Sequence, residues 1–193
     1  MQYIGSEFTS TLEIKKSKFI TYIAPYNDFD ELMKRLKNQH PKARHFVYAY
    51  RYLNEFDQIV ENSSDDGEPK GTSGKPTLSV LAGAELINTG VIVVRYFGGI
   101  RLGTGGLVKA YSDAVNLVLQ SSKVQHFVKL QLKRLQISYS QLSQIEYLLS
   151  KYNLKIKNKI FLDTISLEIE GSQENFIQFS SELFHDTVLE NIE

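Results

Sequence analysis

Polar and apolar residues alternate from Thr9 to Tyr22, through Leu12, Ile14 and Phe19, which predicts extended strands. Phe29, Leu32, Met33 and Leu36 then fall at the spacing of one helix face. Asn27 and Asp28 stand at its start and Pro41 beyond its end. His45 to Tyr52 is aromatic and β-branched, hence a strand, and Asn62 to Pro76 (NSSDDGEPKGTSGKP) reads as loop. Pro76 is expected to open a helix that continues through Leu78, Leu81, Ala82 and Glu85 to Ile87 and stops at Asn88 and Gly90. Val91 to Phe97 is an apolar run suited to a buried central strand. GGIRLGTGG leads into a helix with Leu107, Ala110, Tyr111, Ala114, Leu117 and Val118 on one face, ending near Ser121–Ser122.

The rhythm changes after Lys123, where a linker and an entry strand are expected up to Lys133. Leu135 to Tyr139, Leu154 to Phe161, Thr164 to Ile169 and Val188 to Ile192 read as strands. Helices are marked by Leu142, Ile145, Leu148, Leu149 and Tyr152, and by Phe176, Phe179, Ser180 and Leu183. This β-α-β-β-α-β order is that of a ferredoxin-like unit. The chain therefore reads as an α+β protein of two domains, residues 1–124 and 130–193.

Composition narrows the chemistry. The 193 residues are 42% hydrophobic and 23% charged, enough apolar material for packed cores, and they include no cysteine. Disulfides, thiolate zinc sites and cysteine nucleophiles are thereby excluded. No apolar leader core or membrane-length stretch is visible, so the protein is expected in the cytoplasm without a membrane partner. Net charge is zero, but its distribution is uneven. Lys123 to Lys159 holds eight Lys or Arg against Glu146 alone, and Ile160 to Glu193 holds eight acids and no Lys or Arg. The basic run is expected either to be a merely solvated face or to form a patch for a polyanion around Lys151, Lys155, Lys157 and Lys159. On a regular strand the last three of these share one face.

Two loops carry the candidate chemistry. In the first, Asp65, Asp66 and Glu68 precede Gly71-Thr72-Ser73-Gly74-Lys75-Pro76, and three carboxylates in four residues suit a hard cation. An EF-hand fails, because with Gly67 as its sixth position the twelfth is Ser73. A P-loop fails because Pro76 follows Lys75. A polar turn entering a helix explains the same residues. The second loop runs from Arg95 through Gly98, Gly99, Arg101, Gly103, Thr104, Gly105 and Gly106, linking a buried strand to a helix. Free N–H groups at Gly105, Gly106 and Leu107, with Arg95, Arg101 and Lys109, make an anion site; a tight turn needing glycine is the plainer alternative. Among His40, His45, His126 and His185 there is no metal spacing, and His45, next to Arg44, is the one nearest these loops. Arg44, His45, Asp65, Asp66, Glu68 and Lys75 are expected to face the glycine-rich site. Tyr96 and Phe97 have the chemistry to stack on bases, although core packing is the commoner fate of aromatics on a buried strand.

Lys16-Ser17-Lys18-Phe19, Arg44-His45, Asp65 to Pro69, Gly71 to Pro76, and Val93 to Gly99 with Leu102 to Tyr111 together resemble the signature of the IMPACT family, most closely its bacterial YigZ-type branch. The resemblance implies a first domain of the ribosomal protein S5 domain 2-like type and a ferredoxin-like second domain, like domain V of elongation factor G. In that factor the two folds also follow one another. That two-domain order, the glycine-rich loop with Arg95, Arg101 and Lys109, and the run Lys151, Lys155, Lys157 and Lys159 together lead to the expectation of a non-catalytic protein that binds RNA or the ribosome and acts in translation, with no cofactor. An enzyme acting on a phosphorylated small molecule, with Asp65, Asp66 or Glu68 holding Mg²⁺, and a protein-binding regulatory module like the eukaryotic relatives are the alternatives. Many relatives carry Cys in the strand after Arg-His, where this chain reads Phe46-Val47-Tyr48-Ala49.

Overall fold

The computed structural model describes residues 1–183 and 187–192, so His185 and Glu193 lie outside the described residues. The chain forms two compact units, Met1–Phe127 and Val128–Glu193.

The first unit contains, in chain order, β1 (Gln2–Ile4), β2 (Phe8–Ile14), β3 (Ser17–Pro25), α1 (Phe29–Gln39), β4 (His45–Leu53) and β5 (Ile59–Ser64). It continues with α2 (Gly74–Gly83), β6 (Thr89–Tyr96), α3 (Gly103–Ser121) and β7 (Val124–His126). Its five-stranded antiparallel sheet has the order β2-β3-β6-β4-β5. β6 lies at the centre, and the sheet is covered on both faces, which is why its apolar run does not alternate. Val91 and Val93 face a core with Phe19, Val47, Leu81, Tyr111 and Val115, while Ile92 and Val94 face Phe29, Leu32 and Leu36 of α1.

Several boundaries differ from the sequence expectation, β6 running from Thr89 to Tyr96 rather than Val91 to Phe97 and β8 from Leu130 to Ile137 rather than Leu135 to Tyr139. Asn62 to Ser64, expected as loop, belong to β5, whose polar residues pair with Tyr48 to Tyr50 through the backbone. Within the stretch expected as a linker and entry strand, Val124 to His126 form β7, which completes a two-stranded sheet with β1. The second helix spans Gly74 to Gly83, starting two residues before Pro76 and stopping short of Glu85 to Ile87. There Glu85 and Asn88 adopt positive φ, and Leu86 and Ile87 are fully buried outside any helix. The third helix begins at Gly103, so the second glycine cluster is its first turn rather than part of the loop.

The second unit consists of β8 (Leu130–Ile137), α4 (Leu142–Lys151), β9 (Lys155–Phe161), β10 (Ile165–Ser172), α5 (Gln173–Ser180) and β11 (Leu189–Asn191). Its sheet order, β11-β8-β10-β9, is that of the ferredoxin-like split βαβ arrangement. The helices pack Ile145, Leu148, Leu149, Phe176 and Phe179 against Leu135, Ile137, Ile165, Leu167 and Ile169.

Candidate functional site

The site grows from one end of the first unit's sheet. Residues at the start of β3, the start of β4 and the end of β6 lie side by side there: Lys18 pairs with Tyr96, and His45 pairs with Arg95. A two-residue turn joins β2 to β3, and its residues Lys15 and Lys16 both take positive φ (+46° and +64°). This conformation favours Asn-Gly, so two lysines there cost conformational energy. The chain after β6 passes so close to this turn that a Cβ on Gly98 would lie 2.0 Å from the Lys16 carbonyl carbon. The Gly98 N–H donates to Ser17 Oγ at 3.2 Å.

The first acidic loop is tied down one carboxylate at a time. Asp65 Oδ1 accepts from the N–H groups of Ser73 (3.0 Å) and Gly74 (2.8 Å), and its Oδ2 accepts from Gly71 (2.7 Å). It thereby supplies the negative charge at the N-terminus of α2. Burial pushes the Asp65 carboxyl up, but these N–H groups and the charge of Lys75 outweigh it and hold it below the usual carboxylate range. Asp66, at positive φ, accepts the Phe46 N–H at 2.5 Å through Oδ2. Its carbonyl accepts from His45 Nδ1 at 2.8 Å, so that nitrogen carries the proton. Glu68 is the buried member, its side chain 5% exposed against 6% for its ion-pair partner Arg95. Tyr111 donates its hydroxyl to the same oxygen, Glu68 Oε1, at 2.9 Å, and His45 Nε2 stands 4.0 Å from it. Burial first, then the Glu68 charge and hydrogen bond, push the Tyr111 hydroxyl far above its usual pKa.

Glu68, Pro69, Arg95, Phe97, Arg101, Leu102, Gly103, Thr104 and Leu107 wall a cleft of about 340 Å³. Phe97 is 49% exposed there. Gly103 takes φ +75° as the chain turns into α3, and no side chain caps that helix. The amides left for a ligand are those of Gly103, Thr104 and Gly105, earlier than expected, because the helix starts earlier.

The structure groups the expected residues unevenly. Arg95, Arg101, Gly103, Thr104 and Glu68 line the cleft, whereas Gly98 and Gly99, between Phe97 and Arg101 in the chain, are not among its lining residues. His45, Asp65 and Asp66 brace the adjoining loop, with Arg44 and Lys75 exposed beside them. Lys109 does not join the glycine turn; further along α3 and 77% exposed, it pairs with Asp113 at 2.9 Å. Of the other histidines, His40 is held between the Tyr22 and Tyr96 hydroxyls. Missed were Lys15 and Lys16 in the turn and Tyr111 as the partner of Glu68; Phe97, weighed as a stacking ring with core packing as the commoner fate, is exposed. The run Ile14-Lys15-Lys16-Ser17, two lysines between strand patterns, was the available signal for the first pair.

The secondary basic patch is dispersed. A bulge shifts the β9–β10 register between Glu168 and Ile169, so Asn158 opposes Glu168 and Ile156 opposes Ile169, with Lys157 as the extra residue. Alternation breaks there, and Lys155, Lys157 and Lys159 no longer share a face. Lys159 pairs with Glu146 on α4, Lys157 with Glu170 at 3.5 Å, and Lys151 with Glu182 at 2.7 Å. Arg134 pairs with Glu168. Much of the charge asymmetry along the chain is thus matched within the second unit.

Residues 15–119 match the Impact N-terminal domain model, and residues 135–184 match a domain of unknown function (DUF1949). The chain belongs to the IMPACT family. An IMPACT family member of Haemophilus influenzae is 40% identical over 174 residues, covering 89% of this chain and 84% of that protein. The family member YigZ of Escherichia coli is 39% identical over 174 residues, with 89% and 85% covered. A crystal structure described as that of a hypothetical protein matches with a TM-score of 0.69 at 37% identity, covering 100% of this chain and 97% of that one. The two-domain α+β fold, S5 domain 2-like and then ferredoxin-like, is shared with that crystal structure, and the two domains match the two family models. Among the described residues no helix is long and apolar enough to cross a membrane.

Proposed function

We propose that this IMPACT family protein is a non-catalytic RNA-binding protein acting in translation, and that it grips the phosphodiester backbone with the end of the sheet in its first unit. One observation carries the reading. Lys15, Lys16, Lys18, Arg44 and Arg101 are exposed at that end around the uncapped start of α3, and none is in an ion pair among the described residues. The acids nearby are largely committed: Asp65 to α2, Asp66 to Phe46 and Glu68 to Arg95, leaving Glu13 opposite Lys18. Free cations beside unengaged amides are what a phosphate backbone requires, and they give affinity with little sequence preference.

The same commitments weaken the enzymatic alternative, because Asp65, Asp66 and Glu68 serve three different partners and do not converge on one cation. The decisive experiment is binding of the purified protein to ribosomes and to single-stranded RNA across a salt series. Each phosphate contact contributes a slope of about −0.7 in log affinity against log salt for single strands. Lys16→Glu with Arg101→Glu is expected to flatten the slope by about 1.4 and to abolish retention at about 0.15 M salt. Lys155→Glu with Lys157→Glu, in the second unit, is expected to change neither. Absence of association at the lowest salt ends the proposal, and an effect of the second pair alone moves the surface to the other unit.

A further inference from the structure

Glu68 has a second oxygen that the fold does not use. The hydrogen bonds from Arg95 and Tyr111 both fall on Oε1, and the nearer approach of His45 is also to Oε1. Oε2 has no hydrogen-bond partner among the described residues, although the side chain is 5% exposed and forms part of the cleft wall. It is also not among the polar atoms sealed away from solvent without a partner, a group that does include Arg95 Nε. An ionised carboxylate only accepts hydrogen bonds. Whatever fills the cleft against Glu68 must therefore present donors. No group of three or more His, Asp or Glu side chains among the described residues is arranged to hold a metal ion, and Ca²⁺, which collects about six to eight oxygen ligands, finds one carboxylate here.

The rest of the cleft adds two requirements. The open amides of α3 with Arg101 ask for an anion, and the exposed ring of Phe97 asks for a flat apolar surface. A ligand with a phosphate, a planar ring and adjacent N–H donors is a nucleotide, and about 340 Å³ suits one such unit. Guanine presents two neighbouring donors, N1–H and the N2 amino group, on its pairing edge. Adenine and cytosine each place an acceptor beside their amino group, and uracil flanks its one N–H with carbonyls, so each of these sets a lone pair against the carboxylate. We propose that the cleft is a guanine nucleotide site, with Glu68 Oε2 accepting from the base, Phe97 against its face and the phosphate at the start of α3. This deepens the RNA-binding reading and rests on it for guanine carried within a strand, while free guanine nucleotides meet the same chemistry.

The test changes the ligand first, so that no variant has to fold. Fluorescence anisotropy is measured on eight-residue oligouridines carrying a single central guanine, hypoxanthine or adenine, with GMP and inorganic phosphate as competitors. Guanine is expected to bind at least about tenfold more tightly than adenine, with hypoxanthine, which lacks the amino group, between them. Phe97→Ala is expected to weaken all three alike, and Glu68→Gln, with its fold checked by circular dichroism, to erase the order. Equal affinity for the three strands overturns the guanine site and leaves RNA binding standing. Binding of GMP with no strand bound keeps the site and removes the RNA reading. Displacement by phosphate as effective as by GMP overturns base recognition.

Discussion

Asp65 offers the sharpest stability test, because one side chain closes the N-terminus of α2. Its carboxylate accepts three N–H groups at 2.7–3.0 Å. Ser73 and Gly74 are buried and Gly71 half-buried, so Asp65→Ala strands two donors and lets the third turn to water. A stranded buried donor costs about 1–3 kcal/mol, so the expected loss for two is about 2–6 kcal/mol, a large part of the roughly 5–15 kcal/mol typical of a domain. Asp65→Asn keeps one acceptor oxygen and loses the charge, and is expected to cost about half as much. Urea titration at pH 7 measures both, with an unchanged slope assigning the loss to stability rather than to compactness. The sign with pH follows from the lowered folded pKa. The contribution is fully present above the unfolded value of about 3.9 and is lost as pH falls through the folded one. The gap between wild type and Asp65→Asn therefore closes below about pH 3.9. A loss under about 0.5 kcal/mol for Asp65→Ala at pH 7, or an Asp65→Asn gap that persists unchanged in acid, refutes the capping argument.

Two further perturbations test the frame around the cleft. Gly98→Ala sets a Cβ 2.0 Å from the Lys16 carbonyl carbon, backbone against backbone, and is expected to cost about 3 kcal/mol in thermal or urea unfolding. Glu68→Ala leaves Arg95 buried and unpaired and is expected to cost about 3–5 kcal/mol, whereas adding Arg95→Met is expected to recover most of it, which a double-mutant cycle reads directly.

What was legible in the sequence was what side-chain periodicity decides. The face of α1 and the buried run of β6 follow from apolar spacing alone, as does the βαββαβ order of the second unit. The misses lie where another segment decides. β5 is polar and exists because β4 offers it a ladder; β7 is three residues long and exists because β1 does. The early start of α2 depends on a carboxylate nine residues upstream of Gly74. The lysines of β9 lost their common face to one bulge, which nothing in Lys155 to Phe161 announces. Within the site, the glycines and arginines were legible as a motif. Tyr111, by contrast, read as one more apolar residue on a helix face, because sequence spacing does not reveal that its hydroxyl reaches Glu68.

The two helix starts at this end of the sheet face the same electrostatic problem and solve it differently. α2 receives an internal anion from Asp65, at the cost of an ordered loop from Asp65 to Ser73. α3 has no acid in its first turn and no capping side chain, and its opening residues are largely glycine, which leaves the backbone approachable. Had stability alone shaped both ends, the substitution Leu102→Asp or Leu102→Ser would be the economical choice at α3, contributing about 1 kcal/mol where a cap bond forms. Leu102 instead lines the cleft beside Arg101 and Phe97. The fold thus leaves that small stabilisation unused at a place where exposed cations, an exposed ring and a half-used buried carboxylate meet. That coincidence is what directs the functional reading to the start of α3 rather than to the longer run of lysines in the second unit.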